Sequence, residues 1–230
     1  MVTLLKQQLG SEKIFFGGMA GDDWELKGTF VFTNDQETDN GLVALVLYGD
    51  KINLKGMAIT CWKPLGITRT VTKSIDNLLY EIDGKSAVEL YLKYLGKEDK
   101  ITQENYDVFQ DLSFEYPFIV KRDENETVLK SAMKIDDQEK ALVMDMPMPE
   151  GTKFWFTNPP DFDIVEEVIE KATQLKQDSK EGADALLIFS CAGREPVLGP
   201  MVKDENDGLA EVWKTSMAGF FTYGEFGRVL

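Results

Sequence analysis

The chain has 230 residues, 43% hydrophobic and 28% charged, which is ordinary for one large packed domain or two small ones. Its 25 Lys and Arg against 40 Asp and Glu (25 − 40 = −15) exclude binding to nucleic acid or an anionic membrane unless a basic patch overrides the charge, and Lys and Arg are scattered among the acids. With no histidine, a Ser-His-Asp or Cys-His mechanism within these residues is excluded, as are imidazole metal sites and a histidine pH switch.

Met1 to Gln8 lacks the apolar core and cleavage site of a signal peptide, and no later stretch is apolar enough to span a bilayer, so a cytoplasmic protein is expected. Val2 to Leu9 reads as the end of an amphipathic helix, and Lys13 to Phe16 as a strand entering the turn Gly17-Gly18-Met19-Ala20-Gly21-Asp22-Asp23. Thr29 to Thr33, Leu42 to Tyr48, Ile52 to Ile59, Ile67 to Lys73 and Leu78 to Ile82 predict a meander of antiparallel strands closed by Asp83-Gly84. Ser86 and Glu89 form a capping box before a helix with Val88, Tyr91, Leu92 and Leu95 on its apolar face, and Gly96 ends it. A helix around Glu104 to Leu112 follows, then strands at Phe118 to Val120, Val128 to Ala132 and Ala141 to Met144.

Asp161 or Asp163 starts the clearest helix, with Phe162, Val165, Val168, Ile169, Ala172 and Leu175 in helical period up to Gly182. Ala185 to Phe189 is apolar throughout, the pattern of a strand buried on both faces. An acidic helix at Asp207 to Thr215 leads to a last strand from Met217. Helix, strand, glycines and an acid occur twice, in Leu4 to Asp22 and Leu209 to Glu225; this fits an internal duplication and equally two unrelated turns that both need glycine. The fold class is α+β, with mostly antiparallel or mixed sheets packed with helices.

Four stretches resemble the FIST family, in that family's order. Gly17-Gly18-Met19-Ala20-Gly21-Asp22-Asp23 with Thr29-Phe30-Val31-Phe32 is similar to the closing part of the FIST N-terminal domain. Tyr80 to Ala87 resembles the start of the FIST C-terminal domain, Phe189-Ser190-Cys191-Ala192-Gly193-Arg194 its most distinctive motif, and Ala218-Gly219-Phe220 with Tyr223-Gly224-Glu225-Phe226-Gly227 its closing one. The resemblance implies residues 1–76 as the last part of a FIST N-terminal domain and 77–230 as a FIST C-terminal domain, shortened at both ends. It further implies an intracellular sensory module for small ligands such as amino acids, signalling to an output protein such as a kinase or receptor, and open sheet edges suited to homo-oligomers.

Arg194 follows an apolar strand, where its planar guanidinium suits a ligand carboxylate; the plainer alternative is an ion pair with one of the chain's many acids. Glu225 and Asp22 stand in matching places after glycines, suited to a ligand ammonium or simply to solvent. Gly18, Gly193 and Gly224 would admit backbone close to a ligand, or serve tight packing, and the glycine spacing is neither a P-loop nor a dinucleotide fingerprint. Cys61 and Cys191 show no CxxC spacing, so no zinc site or disulfide framework is indicated. Cys191 beside Arg194 lines the expected site; the alternative is the nucleophile of a hydrolase or transferase, though small free cysteines more often pack. The expectation is a non-catalytic ligand sensor with no metal and no cofactor, and a protein-interaction scaffold stands as a further alternative.

Overall fold

The computed structural model describes residues 7–10, 13–25, 27–101, 103, 106–109, 115–122, 127–161, 163–179 and 182–228. Two units make up the chain: Thr60–Phe162, and a second formed by Met1–Ile59 together with Asp163–Leu230. The second unit is therefore split in sequence, with the first inserted into it.

Of the expected Val2–Leu9 helix, residues 7–9 are helical and residues 2–6 lie outside the described residues. Strand β1, Phe15–Gly18, takes in Gly17 and Gly18, which the sequence reading puts in a turn. The reason is space: a Cβ on Gly17 would stand 2.6 Å from the Phe226 ring, and one on Gly18 would overlap the Thr222 methyl. β1 is antiparallel to the last strand of the chain, with Gly18 opposite Glu225. β2, Val31–Phe32, and β3, Glu37–Thr38, form a short antiparallel hairpin.

The expected strands Leu42–Tyr48 and Ile52–Ile59 do not form. A turn is present between them, with the Lys51 N–H donating to the Tyr48 carbonyl at 3.0 Å, yet neither side joins a ladder. Leu45 is 75% and Val46 70% exposed. Strand propensity measures fit to a pleated, half-buried surface, and among the described residues no neighbouring strand supplies one here.

The antiparallel meander begins only in the inserted unit. Its long strand β4, Lys63–Ile75, covers the expected Ile67–Lys73 strand, and β5, Leu78–Ile82, is as expected. Asp83 and Gly84 both take positive φ, 52° and 74°, and turn the chain into β6, Lys85–Ser86. Helix α1, Ala87–Tyr94, starts where the Ser86 hydroxyl accepts the Glu89 N–H at 3.3 Å and ends before Gly96, at φ 67°. The Glu104–Leu112 helix falls largely outside the described residues. β7, Phe118–Lys121, β8, Thr127–Lys130, β9, Ala132–Asp136, β10, Ala141–Met144, and β11, Lys153–Asn158, complete an antiparallel sheet in the order β8-β7-β11-β4-β5-β10-β9, with β6 on β5.

The core of this unit is apolar and aromatic. Phe118 stacks on Phe154 at 5.0 Å, Tyr91 meets Phe118 edge-on at 5.1 Å, and Tyr94 stacks on Phe156 at 4.2 Å. The Trp62 indole, buried here, donates to the Glu115 carbonyl at 3.0 Å. Tyr91 also donates to the Tyr116 carbonyl at 3.2 Å, and Tyr94 to that of Thr157 at 2.9 Å, so these two phenols have acceptors.

The split unit resumes with α2, Ile164–Ser179, which buries Ile164, Val168 and Ala172. Its packing partner is α4, Met201–Trp213, where a Cβ on Gly208 would stand 2.5 Å from Ile169. The expected Asp207–Thr215 helix thus starts six residues earlier, and the charges that obscured it include the exposed i, i+4 pair Lys203–Asp207. A short helix α3, Arg194–Leu198, precedes it and carries Arg194 out of the expected turn. β12, Ala185–Cys191, and β13, Ser216–Thr222, pair in parallel, and β14, Glu225–Arg228, returns to β1.

β12 is not buried on both faces as its composition predicts. Ala185 and Leu187, with their partners Ser216 and Ala218, are exposed, and so is Phe220. The pair has two strands only, and among the described residues this face stays open to solvent at that end. The fold is α+β, with two antiparallel two-stranded pairs, one antiparallel sheet of eight strands and one parallel pair. No helix among the described residues is long and apolar enough to cross a membrane.

Candidate functional site

The C-terminal end of β12, where parallel strands leave backbone groups unpaired, is tied to the end of β13. Cys191 is the register partner of Thr222, and the Ala192 N–H donates to the Thr222 carbonyl at 2.8 Å. The buried Thr222 hydroxyl lies 3.3 Å from the Ser190 carbonyl and is bonded to the Glu225 carboxylate. Gly18, opposite Glu225 on β1, leaves the room that the Thr222 methyl fills. Three chain segments far apart in sequence thereby meet at one threonine.

The Cys191 thiol donates to Glu225, and its pKa is pushed up to about 11 by burial first and the Glu225 charge second; the Gly193 N–H and the Arg194 charge oppose the rise. Glu225 is exposed along its length, but its carboxyl end packs against Cys191 and Thr222, and this burial raises its pKa. Hydrogen bonds from Thr222 and Cys191, with the charge of Arg194, work against that shift. A high-pKa thiol beside a carboxyl group is the reverse of the electropositive setting that makes a thiolate nucleophile.

Arg194, at the first position of α3, is 6% exposed. Its Nη2 is ion-paired to Glu205 of α4, itself buried, so both the plainer reading of Arg194 and a remaining donor coexist in one side chain. Nη1 is buried and has no hydrogen-bond partner. The two-pronged grip on a ligand carboxylate expected from the sequence is thus half occupied by Glu205.

Asp22 is placed differently from Glu225. One carboxylate oxygen accepts the Tyr223 hydroxyl at 2.6 Å, and the other accepts the Lys27 and Gly28 N–H groups at 2.7 and 3.0 Å. The Tyr223 oxygen in turn accepts the Trp24 N–H at 2.7 Å, with the two rings 5.3 Å apart. This staples the loop after β1 to the turn before β14, together with the Met19 N–H to the Gly224 carbonyl at 2.9 Å and the Tyr223 N–H to the Met19 carbonyl at 3.1 Å. Burial, then the bond to Asp22, raises the Tyr223 pKa.

Of the residues expected at the site, Gly18, Cys191, Gly193, Arg194 and Glu225 converge on Thr222 or its immediate neighbours, Gly224 forms the adjoining turn, and Asp22 fastens a loop to that turn. The sequence reading missed Thr222 and Glu205. Thr222 could have been found from its place between two FIST-like stretches, Ala218-Gly219-Phe220 and Tyr223-Gly224-Glu225; Glu205 sits in an acidic run whose members look alike. Among the described residues no group of three or more Cys, Asp or Glu is placed to hold a metal ion.

No curated protein and no solved structure matches the chain. The family model for the FIST N domain matches residues 1–85, and that for the FIST C domain matches residues 87–228. The boundary between the two matches falls inside the inserted unit, so sequence families and compact units divide the chain differently. FIST domains are sensory domains of signal transduction. With the two matches meeting at Ser86 and the β12 and β14 motifs gathered around Thr222, the chain belongs to the FIST family.

Proposed function

We propose that the chain is a non-catalytic sensory module for an amino acid or a related small metabolite, with the ligand carboxylate at Arg194 and its ammonium at Glu225. The observation that carries this reading is the buried Nη1 of Arg194, an N–H donor group with no acceptor. A buried donor left unpaired costs about 1–3 kcal/mol, so an acceptor that reaches it is favoured by that amount before its other contacts count. Cys191 lines the site as a neutral thiol, which supports a binding role over a hydrolase or transferase. Membership of the FIST family supports a module that hands its signal to an output protein, such as a kinase or receptor, in the cytoplasm.

Thermal unfolding against a panel of the common amino acids tests this, with Arg194→Ala alongside. At a hundred times its Kd, one ligand stabilises by about 2.7 kcal/mol, a rise in Tm of roughly 5–11 °C for a chain of this size. The rise is expected in the parent chain and absent from the variant, each measured from its own baseline. A chain that no panel member stabilises would overturn the ligand reading. It would favour the scaffold reading, which the exposed apolar run Leu42 to Tyr48 supports, and light scattering over a concentration series would then be expected to show association.

A further inference from the structure

Glu205 lies outside the motifs that mark the family, yet it is the residue that decides how much of Arg194 is left for a ligand. A guanidinium carries its donors in a fixed fork. Glu205 from α4 takes Nη2 and neutralises the charge, while Nη1 stays buried and unpartnered. The arrangement has one donor edge open and no net positive charge.

The charges around it sharpen the point. Arg194 meets Glu205 from α4 and the Glu225 carboxyl group from β14; Cys191 from β12 and Thr222 from β13 bring polar hydrogens but no cation, and β1 brings Gly18, which has no side chain. A second anionic group on a ligand would therefore face two protein carboxyl groups beside a cation, Arg194, that is already paired. Like charges held together away from water repel strongly, and an unpaired charge against a wrong ligand is an effective device of selectivity. A zwitterion escapes this, because its ammonium supplies the missing cation at Glu225.

We propose that Glu205 is a specificity-determining residue: by occupying one edge of Arg194 it restricts the site to ligands with a single carboxylate and their own positive charge, and turns away dianions. This rests on the ligand reading above and adds to it which carboxylates are refused and by which residue.

The test is calorimetric titration of the full chain, at one pH and ionic strength, with L-alanine, L-serine and L-leucine as zwitterions, and succinate as dianion. The same titrations are made on Glu205→Gln, which keeps an acceptor for Nη2 but removes the charge, and on Glu205→Asp, which keeps the charge. The parent chain and Glu205→Asp are expected to hold at least one zwitterion tenfold or more tighter than succinate, and Glu205→Gln to bring succinate within about threefold of it. A folded Glu205→Gln that keeps the tenfold preference, or a parent chain that binds succinate as well as any zwitterion, overturns the proposal and leaves the ligand reading standing. Succinate binding that appears only in Glu205→Gln, with no zwitterion bound by the parent chain, upholds the exclusion and overturns the amino-acid reading. No binding by any of the proteins overturns both. Should Glu205→Gln fail to fold, Glu205→Asp decides: loss of the preference with the charge retained overturns the proposal.

Discussion

The inserted unit and the split unit solve opposite problems. Thr60–Phe162 buries Phe118, Phe154, Phe156, Tyr91, Leu79 and Ile82 in a core with no charged member. The split unit buries an arginine, a glutamate and a threonine, and leaves Leu45, Val46, Leu187 and Phe220 in water. Apolar burial favours folding by about 25 cal/mol per Å2, whereas a buried ion pair seldom gains on an apolar pair of the same size. The inserted unit's core is thus uncharged, while the split unit adds a buried ion pair to its apolar residues Ile164, Val168, Leu198, Leu209 and Trp213.

The sharpest way to break this contrast is through Phe154, fully buried and stacked on Phe118. Phe154→Ala is expected to cost about 3–5 kcal/mol in urea unfolding. A loss under about 1 kcal/mol would show that the aromatic cluster is not what holds the inserted unit.

A smaller effect should come from Cys191 in the split unit. Its folded pKa, about 11, lies above the ordinary thiol value of 9.0. The unfolded chain thus gives up the proton first, and the stability lent by the neutral thiol is whole below about pH 9 and lost as pH rises through 11. The difference in Tm between the parent chain and Cys191→Ala should narrow across that window, and alkylation of the folded thiol at pH 8 should be slower than that of an unfolded control. A widening difference, or fast alkylation, would mean an activated thiolate and would revive the nucleophile reading.

The smallest change is expected at Leu45. If the run Leu42 to Tyr48 stands in water as described, Leu45→Lys shifts stability by no more than about 0.5 kcal/mol. A loss several times larger would show that this stretch is covered in solution, and the contrast between the units would narrow to their polar clusters.

What the sequence made legible was local. The Ser86 cap, the Gly96 stop, the α2 period, the start of β12 and the limits of β10 all depend on residues within a few positions of one another, where propensity and capping act directly. Leu42–Tyr48 has a strand's composition as plainly as Ala141–Met144 does, but a strand needs a partner, and composition does not say whether one arrives. Gly17 and Gly18 read as a turn because the Thr222 and Phe226 side chains that require them lie two hundred residues on. The same distance hid the site: Arg194, Cys191 and Glu225 were picked out by motif and residue type, while Glu205 became visible only once α4 was laid against α3.

The register of β1 on β14 also sets an order of events. Phe15 pairs with Arg228, a separation of 213 residues (228 − 15), while the strands of the inserted unit find all their partners between Lys63 and Asn158. During synthesis the inserted unit can complete its sheet while the C-terminal strands are still unmade, and β1 must wait with its edge unpaired. The polar cluster at Thr222, which needs β1, β12, β13 and β14 together, closes last.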